Sequence, residues 1–350
     1  MIKNLLNKLA KELSLLDLNE LSNNENYPEI LFNLLFLLSC LSKSEYRDCI
    51  ERQFYDLILK EMYVNKSRFR LSFYNGMAGV VFLLENNTLK SRYSDLLIQD
   101  FNKTISDNMS MLLPFFKKEK EEYEFFGGLL GIIYYYSQRK TQTSHKEMDI
   151  VEKSLNKVLK FVREEIDNRI LDVSLVHGTI SFLKIFHNYM DKVGGANDIY
   201  IQMMDSYLKL VIDKEKFEQN FGGRMGWCKS RASVLLLLYL LPVEEEKLSR
   251  YLYKELLNIF ESSNIEWKYD DPYLCHGYAG MSIMMCAFNY IGKNRTCVRD
   301  KLYEELHMNG DLVGDIVTSP NIIENRLGIL LALINDSSKN DILNKVMLMV

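Results

Sequence analysis

Residues 275–285 read Cys-His-Gly-Tyr-Ala-Gly-Met-Ser-Ile-Met-Met, a turn of small residues that runs straight into an apolar segment. The same arrangement recurs along the chain. Gly76-Met77-Ala78-Gly79 precedes VVFLL, Gly128-Leu129-Leu130-Gly131 precedes IIYYY, and His177-Gly178 precedes TISFLKIF. Trp227-Cys228-Lys229-Ser230 precedes RASVLLLLYLL, and Arg326-Leu327-Gly328 precedes ILLALI. Registered on positions 76, 128, 178, 230, 277 and 325, these units are separated by 52, 50, 52, 47 and 48 residues. The apolar segment 28–43 lies one further period upstream, without the glycines.

A period of about 50 residues fits two helices and two loops per repeat, given the 1.5 Å rise per helical residue. Segments 28–43, 151–166 and 247–260 carry apolar residues at helical spacing, and no stretch sustains strand alternation. The 17 Gly and 5 Pro are too few for a sheet protein with many turns. The run after each turn is apolar all round, which predicts a buried inner helix. The segments between, such as 88–108 and 247–262, are charged and amphipathic and suit an outer layer. Seven such pairs could form an open solenoid or a closed ring. An open solenoid needs polar caps, and residues 345–350 read KVMLMV. Closure is therefore the favoured reading: an all-α fold, an α,α-toroid of about seven inner and seven outer helices. It is expected to span residues 1–350 as one domain, with the first 25 or so residues forming a leading outer helix.

Composition excludes several classes. Lys+Arg 43 against Asp+Glu 47 gives a formal charge of −4, which argues against a nucleic-acid binder. The longest apolar run, 234–241, stops at Pro242 and is far short of the roughly 20 residues a bilayer span needs. The first 18 residues alternate charge and Leu and lack a signal-peptide h-region, so a cytoplasmic location is expected. The six cysteines, Cys40, Cys49, Cys228, Cys275, Cys286 and Cys297, should then be reduced.

The repeat register gives the polar residues a geometry. Cys228 and Cys275 both stand two positions before the registered residue, and His177, Lys229 and His276 one position before it. Equivalent positions in a ring lie at one height, so Cys228 and Cys275 should face each other across one seam, with His276 beside them. Two thiols and an imidazole in a reducing compartment suit zinc, and three ligands leave a fourth position open for chemistry. The alternative is that these are small buried hydrophobes at helix starts, since no Cys-x-x-Cys pair exists. Cys40, Cys49, Cys286 and Cys297 have no such partners, and His145, His187 and His307 read as ordinary half-buried or polar histidines.

His177-Gly178, Trp227-Cys228 and Cys275-His276-Gly277-Tyr278-Ala279-Gly280, with the Gly-x-x-Gly turns at 76–79 and 128–131, resemble the lanthipeptide cyclases, the LanC family, from about residue 27 onward. The resemblance implies an α,α-toroid holding one Zn²⁺ on Cys228, Cys275 and His276, and a cyclase acting on dehydrated precursor peptides. It implies His177 as the active-site histidine, Arg224 as the arginine before Trp-Cys, and Glu124 in place of the usual aspartate. It implies a dehydratase and a membrane exporter as partners, with the cyclase peripheral to the membrane through them. The chain departs from the family after Trp-Cys: Lys229 replaces an aromatic, Ser230 and Ser233 replace glycines, and Ser181 stands where the His-Gly element usually has its second glycine. Lys229 could aim its ammonium at the metal or snorkel to the mouth of the barrel, and the second is favoured because an unpaired ammonium beside Zn²⁺ is costly.

The implied chemistry is Michael-type addition, forming lanthionine or methyllanthionine. A precursor cysteine, held as a thiolate at the open zinc position, would add to the β-carbon of dehydroalanine or dehydrobutyrine. His177 would protonate the resulting enolate at Cα, Arg224 would hold the enolate oxygen, and Glu124 would orient His177. Two other readings stand beside this one: a non-catalytic zinc-stabilised scaffold of a maturation complex, and a relative that adds glutathione-like thiols to dehydrated residues.

Overall fold

The computed structural model describes the chain except residues 1, 45, 50–51, 117–119, 140–143, 169–171, 188–196, 223–224, 242–245, 263–270, 309–310, 320, 339–340 and 349–350. Among the described residues the secondary structure is helical, and the β contact is a single bridge between Arg70 and Gly76. The inner helices are Tyr27–Ser42, Met77–Asn86, Leu129–Gln138, Ile180–His187, Arg231–Leu240, Tyr278–Ala287 and Arg326–Ser338. They are buried on all sides. In Met77–Asn86 every residue except Glu85 is buried. The outer helices Arg52–Val64, Arg92–Leu112, His145–Asp167, Asn197–Ile212, Glu246–Glu261 and Lys293–Met308 each pack on the inner helix before them. His145–Asp167 buries the stripe Ile150, Val151, Leu155, Val158, Leu159 and Val162 and leaves its charged face to water. Ser144 and Glu147 start it with a capping box. Leu6, Leu9 and Leu13 of the Ile2–Ser14 helix line a small apolar gap with Leu37, Leu38 and Leu41 of the first inner helix, and the helix also packs on Leu312–Thr318.

The ring closes. Successive inner helices pack side by side from Tyr27–Ser42 to Ile180–His187, and again from Arg231–Leu240 to Arg326–Ser338. The Asn197–Ile212 outer helix packs on Arg231–Leu240 between the two runs, and Arg326–Ser338 returns to lie against Tyr27–Ser42. Arg231 fastens its inner helix to the outer layer by donating to the Val211 carbonyl (2.8 Å) and to Glu255 (2.7 Å).

One end of the barrel carries a belt of hydrogen bonds that runs from loop to loop just before the inner helices. The Tyr74 N–H donates to the Phe126 carbonyl (3.0 Å), Phe125 to Val176 (2.9 Å), Leu175 to Cys228 (2.8 Å), Cys228 to Cys275 (3.0 Å), and Cys275 to Ile323 (3.1 Å). Every acceptor stands two residues before the registered position of its repeat. The first inner helix has no such loop, and the Tyr74 hydroxyl spans the gap. It accepts from the Ile322 N–H (2.9 Å), donates to Asn321 Oδ1 (3.3 Å), and its ring packs edge-on against Phe32. Burial pushes the phenol far above its ordinary pKa, so it remains a donor. The glycines allow the loops to lie this close. A Cβ on Gly280 would stand 2.2 Å from the Leu274 carbonyl oxygen and 2.8 Å from the Trp227 nitrogen.

The barrel axis is filled from within. The Asp341–Val346 helix and the two residues after it carry Leu343, Met347 and Leu348 into full burial. Tyr134 donates to the Lys345 carbonyl (2.8 Å), the Trp227 indole N–H to the Met347 carbonyl (2.8 Å), and Asn335 to Asn344 Oδ1 (3.0 Å). The apolar character of 346–348 belongs to this plug.

Tyr74→Phe keeps the ring packing and strands the Ile322 N–H. It is expected to cost about 1–3 kcal/mol of stability, the penalty for a buried donor without a partner. A denaturant midpoint equal to that of the parent protein would count against the belt's closure by this hydroxyl.

Candidate functional site

The belt is also the skeleton of the candidate site. The Phe125–Val176 bond brings the Glu124 loop to the His177 loop, the Leu175–Cys228 bond brings the His177 loop to Cys228, and the Cys228–Cys275 bond joins the two thiol-bearing loops. A Cβ on Gly226 would stand 2.6 Å from the His276 Cα, so this glycine lets the Trp-Cys loop ride against the Cys-His loop. Together the loops wall a cavity of about 700 Å³. Its lining is dominated by the residues one and two positions before each registered residue: Tyr74 and Asn75, Phe126, Val176 and His177, Cys228 and Lys229, Cys275 and His276, Ile323 and Glu324. Tyr74 and Phe126 stack on each other along the wall at a centroid distance of 4.5 Å, and the buried Trp227 stacks behind Phe126 at 5.8 Å.

Cys228, Cys275 and His276 place one ligand atom each within 4.8 Å of one another. Cys275 Sγ lies 3.3 Å from His276 Nε2. Ligands on a tetrahedral zinc ion with ordinary Zn–S and Zn–N bonds stand about 3.3–3.8 Å apart, so this donor set fits the ion by chemistry, and the Cys275–His276 separation matches that spacing. The thiols are buried, at 4% and 5% exposure. They also differ in acidity. The hydrogen bond from Cys275 lowers the Cys228 pKa against the effect of burial, with help from His276 and Ser174. The same bond and burial raise that of Cys275. The pair thus gives up one proton readily and holds the second tightly, a proton that a metal cation would displace.

His177 Nδ1 meets Glu124 Oε2, and both side chains line the same cavity as the thiols. The histidine side chain is 60% exposed and the carboxylate 18%, so the carboxylate is the fixed member and the imidazole the accessible one. Lys229 is exposed, with its ammonium over the Phe221 ring at 5.5 Å. This is a cation–π contact. Arg224 lies outside the described residues.

Cys286 is elsewhere, beside Asp336 (3.4 Å) and Arg295 (3.5 Å). Cys40 is buried in the first inner helix, where desolvation raises its pKa. Cys297 is half-buried, and the Cys49 side chain lies outside the described residues. His145 and His307 are exposed and His187 is half-buried. Sequence reasoning passed over Tyr74, Asn75, Ile323 and Glu324, although the register that aligned Cys228 with Cys275 places all four on the same wall. It also passed over Ser174, which bonds to Cys228 from outside that register.

A fold, a ring of loops and a Cys/Cys/His group of this kind define a toroidal helical protein with a candidate metal centre. The chain belongs to the lanthionine synthetase C-like family, whose model matches residues 13–343. Among solved structures it is similar to one described as nisin cyclase, at a TM-score of 0.71 and 15% identity, over 99% of this chain and 96% of that one. That likeness speaks for the toroid fold. No curated protein sequence matches the chain. No described helix is long and apolar enough to cross a membrane.

Purified protein is expected to carry about one equivalent of zinc, lost in Cys228→Ala or Cys275→Ala and unchanged in Cys286→Ala or Cys297→Ala. Full occupancy in the Cys228/Cys275 double variant, measured by elemental analysis, would sink the ligand assignment.

Proposed function

We propose that this chain is a zinc-dependent lanthionine synthetase that closes thioether rings in a dehydrated precursor peptide. The observation that carries the proposal is the shared cavity, in which a Cys/Cys/His group and a His–Glu pair line the same walls. Held by Cys228, Cys275 and His276, zinc would bind and activate a peptide cysteine as a thiolate.

The chain's own residues supply the rest. The new bond joins the peptide sulfur to the β-carbon of a dehydroalanine or dehydrobutyrine. The electron pair of the double bond passes to the carbonyl as an enolate, and Cα then takes a proton. His177 delivers that proton. With Nδ1–H donating to Glu124, Nε2 faces the reacting group, and Glu124 stabilises the charged imidazolium. Arg224 is assigned to the enolate oxygen. The stacked Tyr74 and Phe126, backed by the buried Trp227, give the cavity an aromatic wall that keeps water from competing with the thiolate. Lys229 lays its side chain over Phe221 rather than serving as an acid or base. The protein works in the cytoplasm, receives its peptide from a dehydratase and passes the product to a membrane exporter with which it associates peripherally.

The test uses a synthetic peptide with one dehydroalanine and one cysteine. Cyclisation is an isomerisation, so the peptide mass stays fixed while the thiol becomes inert to alkylation. Loss of the alkylatable thiol, abolished by a chelator, supports the proposal. Bound zinc without turnover leaves the scaffold reading, and a gain in mass with added glutathione favours the intermolecular one.

His177→Asn is expected to retain zinc and to cyclise about 10²–10⁴-fold more slowly. Loss of metal in this variant would instead make His177 a ligand. Lys229→Met should change the rate less than about tenfold and leave the pH of half-maximal rate in place, whereas a rise of a full unit would show its charge tuning the bound thiol.

A further inference from the structure

Ser174 is buried, at 4% exposure, at the start of the loop that carries His177. Its hydroxyl oxygen accepts from the His177 backbone N–H (3.1 Å) and lies 3.2 Å from Cys228 Sγ. Its own backbone is fixed on both sides. The Ser174 N–H donates to Asp172 Oδ1 (2.8 Å), and its carbonyl accepts from Gly178 (2.8 Å). Next to it, Leu175 donates to the Cys228 carbonyl (2.8 Å), so this loop grips Cys228 by both main chain and side chain.

A hydroxyl has one proton. A thiolate at Cys228 has no proton to give, so across the 3.2 Å contact the serine O–H is the donor and sulfur the acceptor. We propose that Ser174 is a positioning residue for the metal centre: its hydroxyl donates to the Cys228 thiolate, and the His177 main chain sets that donor's direction. This inference rests on the metal-site reading above. Two effects follow. A hydrogen bond to sulfur lowers the energy of its donor orbitals and disperses its charge, as outer partners of metal ligands do. It also fixes the register of the proton-delivering loop against the metal-bearing loop, since one hydroxyl touches both.

The test is made on the full chain loaded with Co²⁺, whose thiolate-to-metal charge-transfer band reports on the sulfur directly and needs no peptide. Ser174→Ala is expected to move that band to longer wavelength and to weaken metal affinity about tenfold in chelator competition at neutral pH, the lower end of what outer-partner loss costs. Ser181→Ala is the control. Ser181 is buried at the start of the next inner helix and bonds the Gly178 carbonyl rather than the cysteines (3.2 Å), so its loss should leave band and affinity in place. An unshifted band with parental affinity in Ser174→Ala would overturn the inference. Equal shifts in Ser174→Ala and Ser181→Ala would also overturn it, because loosening of the loop would then explain both. Absence of any charge-transfer band in the parent protein would refute the metal-site reading itself, a result distinct from the other two.

Discussion

The belt of loop-to-loop hydrogen bonds is the constraint from which the rest of this structure follows. A ring of helix pairs leaves the loops before its inner helices with unpaired backbone groups at a crowded end of the barrel, where buried donors and acceptors need partners. Here each loop satisfies its neighbour. The arrangement requires the loops to approach to backbone contact, which explains the glycines at 226 and 280. It requires one side chain to reach across the repeat that has no such loop, which Tyr74 does. The same bonds set the height of every side chain around the cavity rim.

This explains why chemistry-bearing groups from distant parts of the chain can be positioned without a dedicated scaffold. Glu124, His177, Cys228 and Cys275 lie on four different repeats, yet each is at or next to a residue whose main chain is fixed by the belt. Their side chains inherit a rigid base from helices that are buried on all sides, the condition under which a metal ligand or proton donor holds its place. The paired thiols add an electrostatic bias of their own. One sulfur is stabilised as an anion by its neighbour's proton, so the group is poised for a cation.

The fold was legible because the repeat is written in the sequence twice, once in hydrophobicity and once in glycine spacing. The inner helix runs and the amphipathic outer segments fall where the periodicity put them, and the ring closes between segment 28–43 and the 326–338 helix. The convergence of Cys228, Cys275 and His276 was legible from register alone. Tyr74 and Ser174 were not, for a physical reason. Their roles depend on which oxygen or sulfur lies within about 3 Å, and helical periodicity carries no information at that scale. The Ser174 contact joins residues 54 positions apart. The plug formed by 341–348 escaped because the apolar run after the last repeat argued against an open, polar-capped end without saying which surface it covers.

That plug has a consequence for the order in which the barrel can be made. Its residues follow the inner helices in the chain, so during vectorial synthesis they leave the ribosome after the ring's own elements. Until they arrive, the Trp227 indole and the Tyr134 hydroxyl face an axis with nothing in it, and the inward surfaces of several inner helices stay wet. The contact that closes the ring joins segments some three hundred residues apart, the kind of long-range pairing whose entropy cost slows folding. Plug and closure both wait on the last part of the chain to be made. Nascent chains short of it expose an apolar lumen.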